Sequence, residues 1–142
     1  MNSYEVNYYM TSGHSIGHLI QAESIFTASA IAKEWLDTTD RFIELDETLY
    51  LDKDQVTHIE IYESGVLYEP SDQVKSDVTF KMISNEEVLY HSKDTQENTA
   101  NMLRQLLSER REGFIPLSPN CLVNSKYVVS YRIFERIPMR TI

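Results

Sequence analysis

The chain has 142 residues, 42% of them hydrophobic and 25% charged, and a net charge of −9. That is the composition of one or two small globular domains that need no metal or disulfide to hold together. Its single cysteine, Cys121, excludes an internal disulfide. The acidic balance argues against nucleic acid as a direct ligand, because phosphate binding needs a basic surface.

No basic-then-apolar leader opens the sequence, and no apolar run is long enough to span a bilayer. A cytoplasmic location is therefore expected.

Residues 4–11 alternate apolar and polar, with Val6, Tyr8 and Met10 on one side, which predicts a half-buried strand. Thr11 to His14 is a turn in which Gly13 can take positive φ. A second strand is predicted near 16–22. Ser24 then caps a helix whose stripe is Ala28, Ile31, Ala32 and Trp35. Residues 42–45 and 49–51 form a hairpin around Asp46 and Glu47, and 56–62 alternate again. Gly65 and Pro70 break the segment 64–75, read as a linker.

The second half reads the same way. Strands are predicted at 77–83 and 87–92, turning at Asn85 and Glu86. Asp94 with Glu97 resembles a capping box. The helix that follows carries Ala100, Leu103 and Leu107, widened by Met102 and Leu106. Residues 114–123 form a hairpin at Ser118, Pro119 and Asn120, and a last strand covers 128–134.

Sliding the sequence by 72 residues aligns the halves without a gap, with eleven identities over residues 1–63. Val6, Met10, Phe42, Ile43, Leu45, Val56 and Ile61 all recur. The expected fold is α+β: a tandem duplication of a ββα-plus-antiparallel-strands unit, each an antiparallel sheet with one helix on a face. The units are 1–63, the linker 64–75, and 76–142. In the strand at 56–62, Thr57, Ile59 and Ile61 are expected to face the helix, and Val56, His58, Glu60 and Tyr62 to face away. Val128, Ser130, Arg132 and Phe134 occupy the same outer face in the second half. These faces, with Val56, Tyr62, Val128, Arg132 and Phe134 at their centre, are expected to meet, within one chain or in a homodimer, and to pair Glu60 with Arg132.

Charge divides unequally. Residues 1–71 hold 13 acids and 3 bases, and residues 72–142 hold 9 acids and 10 bases. The acids Asp37, Asp40, Glu44, Asp46, Glu47, Asp52 and Asp54 crowd one stretch, offset only by Arg41 and Lys53. Asp37 and Asp40 fall where a helix dipole disfavours anions. Such a face would steer a basic partner surface toward it, with strong salt dependence. The second half carries Arg104, Arg110, Arg111, Arg132, Arg136 and Arg140.

No nucleotide-binding, zinc-protease or paired-cysteine motif occurs. His14 and His18 lie four apart, but on a hairpin they stand roughly 13 Å from one another, which is too far to share an ion. No metal or cofactor is expected. Cys121 takes the place of Leu49 and reads as a buried hydrophobe. Tyr9, Tyr50, Tyr62 and Tyr68 are candidates for partial exposure, and tyrosine is common at binding hot spots.

In its small size, acidity, lack of a catalytic motif and tandem compact units the chain resembles, in type, accessory proteins of phages and other mobile elements. Among these are certain anti-CRISPR proteins that block a nucleic-acid-binding surface. No motif carries that resemblance and no residue transfers from it. The function expected is a non-enzymatic protein-binding module that occludes a basic partner surface. The alternative is a small-ligand binder or regulator with a pocket between the halves, lined by Arg132 and tyrosines.

Overall fold

The computed structural model describes residues 1–66, 73–108 and 113–136. Tyr68, Pro70, Arg110, Arg111 and Arg140 lie outside the described residues. The fold is α+β, with two helices and only antiparallel strand pairs among the described residues.

The first half runs β1 (Asn2–Met10), β2 (Ser15–Ala22), α1 (Ile25–Leu36), β3 (Phe42–Glu44), β4 (Tyr50–Asp52) and β5 (Val56–Glu63). The second runs β6 (Ser76–Met82), β7 (Glu87–Ser92), α2 (Gln96–Ser108), β8 (Phe114–Ser118), β9 (Cys121–Asn124) and β10 (Val128–Glu135). A 3-10 turn precedes β5 at Lys53–Gln55 and β10 at Ser125–Tyr127. The order of elements is the same in both halves.

Backbone detail recurs at the 72-residue spacing. The Met10 N–H bonds the His14 carbonyl at 2.8 Å, and the Met82 N–H bonds that of Glu86 at 2.9 Å. Gly13 and Asn85 both take positive φ in these turns, at 88° and 70°. A bulge sets Thr57 out of register against β1, and another sets Val129 out of register against β6. The helices keep a spacing of 71 instead. Ser24 caps α1 by accepting the Thr27 N–H, and Thr95 caps α2 by accepting that of Asn98. Asp94, expected as the cap, lies one residue outside and donates its N–H to Ser92.

The packing crosses the 64–75 segment. One five-stranded sheet has the order β2-β1-β5-β9-β8, so the β8–β9 hairpin of the second half extends the sheet of the first. A three-stranded sheet has the order β10-β6-β7, and among the described residues β3–β4 pair only with each other. Two cores result. The first gathers Tyr4, Val6, Tyr8, Ile59 and Ile61 under Ala28, Ala32 and Leu36 of α1, and it includes Phe114 and Leu122 of the crossing hairpin. The second gathers Val78, Phe80, Met82 and Val88 under Leu103 of α2. Alternation along β9 serves both, because Cys121 and Val123 point into the second core while Leu122 points into the first.

The bulge at Thr57 corrects the facing expected for β5. Val56 lies in the first core with Ile59 and Ile61. The Thr57 hydroxyl turns back to the Tyr9 carbonyl at 3.1 Å. An extra residue in a strand shifts the parity of what precedes it.

Candidate functional site

The acidic residues singled out in the sequence lie at the end of α1 and along the β3–β4 hairpin. Parity along the hairpin decides their exposure. Ile43, Leu45 and Leu51 point into the first core, so Phe42, Glu44, Tyr50 and Asp52 point away from it. Phe42 and Tyr50 are 52% and 58% exposed. Phe42 was not among the predicted contact residues. Its place out of phase with Ile43 and Leu45 was the available signal.

Three of the seven acids are committed locally. Asp37 is the C-cap of α1, and its carboxylate takes the Lys33 ammonium at 2.6 Å. The cation one turn back offsets the dipole's disfavour for an anion there. Asp46 accepts from the Thr48 N–H, the Thr48 hydroxyl and the Leu49 N–H. The Thr48 bonds are the main cause that holds its pKa below the ordinary carboxylate range. Asp52 accepts two bonds from Arg41, at 3.0 and 3.2 Å, and caps the 3-10 turn at the Asp54 N–H. The Arg41 guanidinium is the chief reason that its pKa is also lowered.

The other four, Asp40, Glu44, Glu47 and Asp54, are exposed. Their carboxylates have no hydrogen bond or ion pair among the described residues. Asp54 contributes through its main chain, where its carbonyl accepts the Tyr127 hydroxyl of the second half. The hairpin thus presents two open aromatic rings within a field of uncompensated carboxylates. Arg41, over the Phe42 ring at 5.2 Å, is tied to Asp52. Rings supply desolvation energy to a contact, and charges supply steering.

The residues expected to join the two halves are scattered. Val56 is in the first core, Tyr62 is half-buried, and Val128 packs at the edge of the second core. Arg132 and Phe134 are exposed on β10. Glu60 does not pair with Arg132. It accepts the Tyr62 hydroxyl at 2.5 Å and the Tyr9 hydroxyl at 3.2 Å.

Beside Glu60, His58 is 1% exposed and stacks on Tyr9, with ring centroids 4.3 Å apart. The Thr57 hydroxyl donates to the Tyr9 carbonyl, so it accepts from His58 Nδ1 at 2.8 Å. That assigns the Nδ1–H tautomer. Burial pushes the His58 pKa down to about 4, so Glu86, 4.0 Å from Nε2, faces a neutral ring at pH 7. Cys121, across from Glu60, has its thiol pushed up to about 12, mainly by burial. A thiol in that state is protonated and unreactive.

His14 lies exposed in the β1–β2 turn, while His18 packs on Trp35 at 5.6 Å. No group of three or more metal-ligating side chains occurs among the described residues. No helix among them is long and apolar enough to cross a membrane.

A cleft of about 460 Å³ lies between the halves, bordered by Asp37, Lys53, Asp54, Phe114, Asn124 and Lys126. Arg132 and the tyrosines expected to line such a pocket do not border it. No known protein family, curated protein or solved structure matches the chain.

Proposed function

We propose that the protein is a non-enzymatic binding module whose β3–β4 hairpin face docks on a basic surface of a partner protein and blocks it. The observation that carries this reading is the pairing of two exposed rings, Phe42 and Tyr50, with four uncompensated acids, Asp40, Glu44, Glu47 and Asp54. Asp46, held ionised by its hydrogen-bond donors, adds to the same field, while the charge of Asp52 is offset by Arg41. A surface that answers carboxylates is one that otherwise answers phosphates, so a nucleic-acid-binding protein is the partner class this chemistry fits. Occlusion of that kind is how certain of the mobile-element proteins that the chain resembles in type act.

The same reading takes the chain as a tandem duplication. The shared order of elements, the turns and bulges that recur at a spacing of 72 and the helix caps that recur at 71 support it. One copy has kept its hairpin for the partner, and the other uses its hairpin for internal packing.

The test is a variant carrying Asp40→Asn, Glu44→Gln, Glu47→Gln and Asp54→Asn, compared with the wild type as immobilised bait. A basic protein held by the wild type and released by the variant is expected. A partner held equally by both contradicts the reading.

A second reading, a small ligand in the cleft between the halves, is favoured by Lys53 and Lys126 at its border. It predicts a ligand-dependent rise in melting temperature that is lost in Lys126→Ala.

A further inference from the structure

The two hairpins are used differently. In the second half, β9 pairs with β5 through His58–Val123, Ile59–Leu122 and Glu60–Cys121. The Asn120 carbonyl closes the pairing on the Ile61 N–H at 2.9 Å. Phe114 and Leu122 are buried as a result, 9% and 0% exposed, in the core of the other half. Seventy-two residues earlier the same two positions are Phe42 and Tyr50, which are open to solvent.

The strand that would receive them is open as well. β10 pairs with β6 on one side, and no strand pairs with its other side among the described residues. Ile59 and Ile61 of β5 are fully buried, but their counterparts Tyr131 and Ile133 are only half-buried. Val129 is 63% exposed and Phe134 52%. An eight-residue edge strand with apolar side chains and only Arg132 and Glu135 charged is a template for strand addition. The Gln96 amide, which bonds the Ile133 carbonyl at 3.2 Å, guards one position of that edge and is exposed enough to give way.

We propose that a second copy of this chain covers that edge, its β3–β4 hairpin adding antiparallel to β10. The contact repeats between molecules the β9–β5 junction within one. By the same register, Tyr50 would stand opposite Tyr131, and Leu49 opposite Arg132. Charge agrees with this occupant. The incoming hairpin carries Glu44 and Glu47 unpaired, and the receiving strand presents Arg132, which is exposed.

One latch is missing from the intermolecular contact. Asn124 donates to the Val56 carbonyl across the internal junction, whereas its counterpart Asp52 is held by Arg41 and has no proton to donate. The contact is therefore weaker than the internal one and reversible with concentration. Each chain offers one hairpin and one edge, so the association is head to tail and either closes as a ring or extends. It does not depend on the partner proposed above. A chain whose hairpin sits on another copy hides Phe42 and Tyr50 from any other protein.

Sedimentation equilibrium on the full chain over a concentration series tests this. The wild type is expected to rise from the mass of one chain to two or more by roughly millimolar concentration. Tyr50→Asp, which spoils the hairpin, and Arg132→Glu, which spoils the edge, are each expected to stay at one chain. Both positions are exposed, and unchanged melting curves confirm that the variants fold. An equimolar mixture of the two, with one good hairpin and one good edge, is expected to recover a two-chain species. A wild type that stays at one chain throughout overturns the proposal. So does association that both variants retain, which would place the contact elsewhere.

Discussion

Asn124 and Asp52 occupy the same place in the two halves and face opposite chemical demands. Each caps a 3-10 turn, accepting the N–H of Lys126 and of Asp54 respectively. The Asn124 amide has a second function, donating to the Val56 carbonyl at 3.1 Å and so fastening the crossing hairpin to β5. Asp52 keeps the cap and loses the donor, and Arg41 takes its free oxygen. The amide-to-carboxylate difference at this position removes that fastening from the first hairpin.

Asn124→Asp is therefore expected to destabilise the protein by about 2–4 kcal/mol. It places a carboxylate against a buried carbonyl and leaves that carbonyl unsatisfied. The reverse change, Asp52→Asn, removes only an exposed ion pair and should cost less than about 1 kcal/mol. Urea denaturation of both variants checks the asymmetry. Equal losses would contradict it.

Acid should weaken the fold before the carboxylates protonate. The folded-state pKa of His58 is lowered to about 4 from an ordinary value near 6.5. Between those values the unfolded chain takes up a proton that the native state refuses, so stability falls as pH drops through the window. The loss is on the order of 3 kcal/mol. His58→Gln should flatten the stability curve from pH 6.5 to 4. A wild-type curve already flat there would show that His58 is not buried as a neutral ring.

The β1–β2 and β6–β7 turns should both favour glycine. Gly13 has a φ of 88°, so Gly13→Ala should cost about 1 kcal/mol. Asn85 has a φ of 70°, so Asn85→Gly should be neutral or slightly stabilising. Thermal melts of the two variants check the prediction, and a destabilising Asn85→Gly would contradict it.

Much of the local structure was legible in the sequence, because period-2 alternation in 4–11 and 56–62 and the Ser24 cap are short-range signals. The cap of α2 was misplaced by one residue because Asp94 and Thr95 are adjacent and both chemically competent. The inward turn of Val56 was hidden because a bulge leaves no mark in the alternation. The crossing of β8–β9 onto β5 was not legible either. It depends on pairing between residues more than sixty apart, and the hairpin at 42–52 has nearly the same pattern without making that crossing. Of the site, the acid cluster was plain, but its division into committed and free carboxylates depends on Lys33, Arg41 and Thr48, whose contacts only the fold sets.

Neutralising Asp40, Glu44, Glu47 and Asp54 should leave the melting temperature unchanged or slightly raised. Among the described residues these carboxylates have no hydrogen bond or ion pair to lose, and their mutual repulsion is relieved. A marked fall in melting temperature would mean that the acids hold the hairpin and do not stand free for a partner.

The most direct test of the acidic-face reading is capture of partners by the tagged wild-type chain, washed in steps from about 0.05 M to about 0.5 M salt, with mass spectrometry of each fraction. Screening shortens the reach of charge from roughly 14 Å to about 4 Å over that range. The account predicts a basic, nucleic-acid-binding protein retained at low salt and released well before the highest step. A partner that stays bound throughout, or one that is itself acidic, would contradict it.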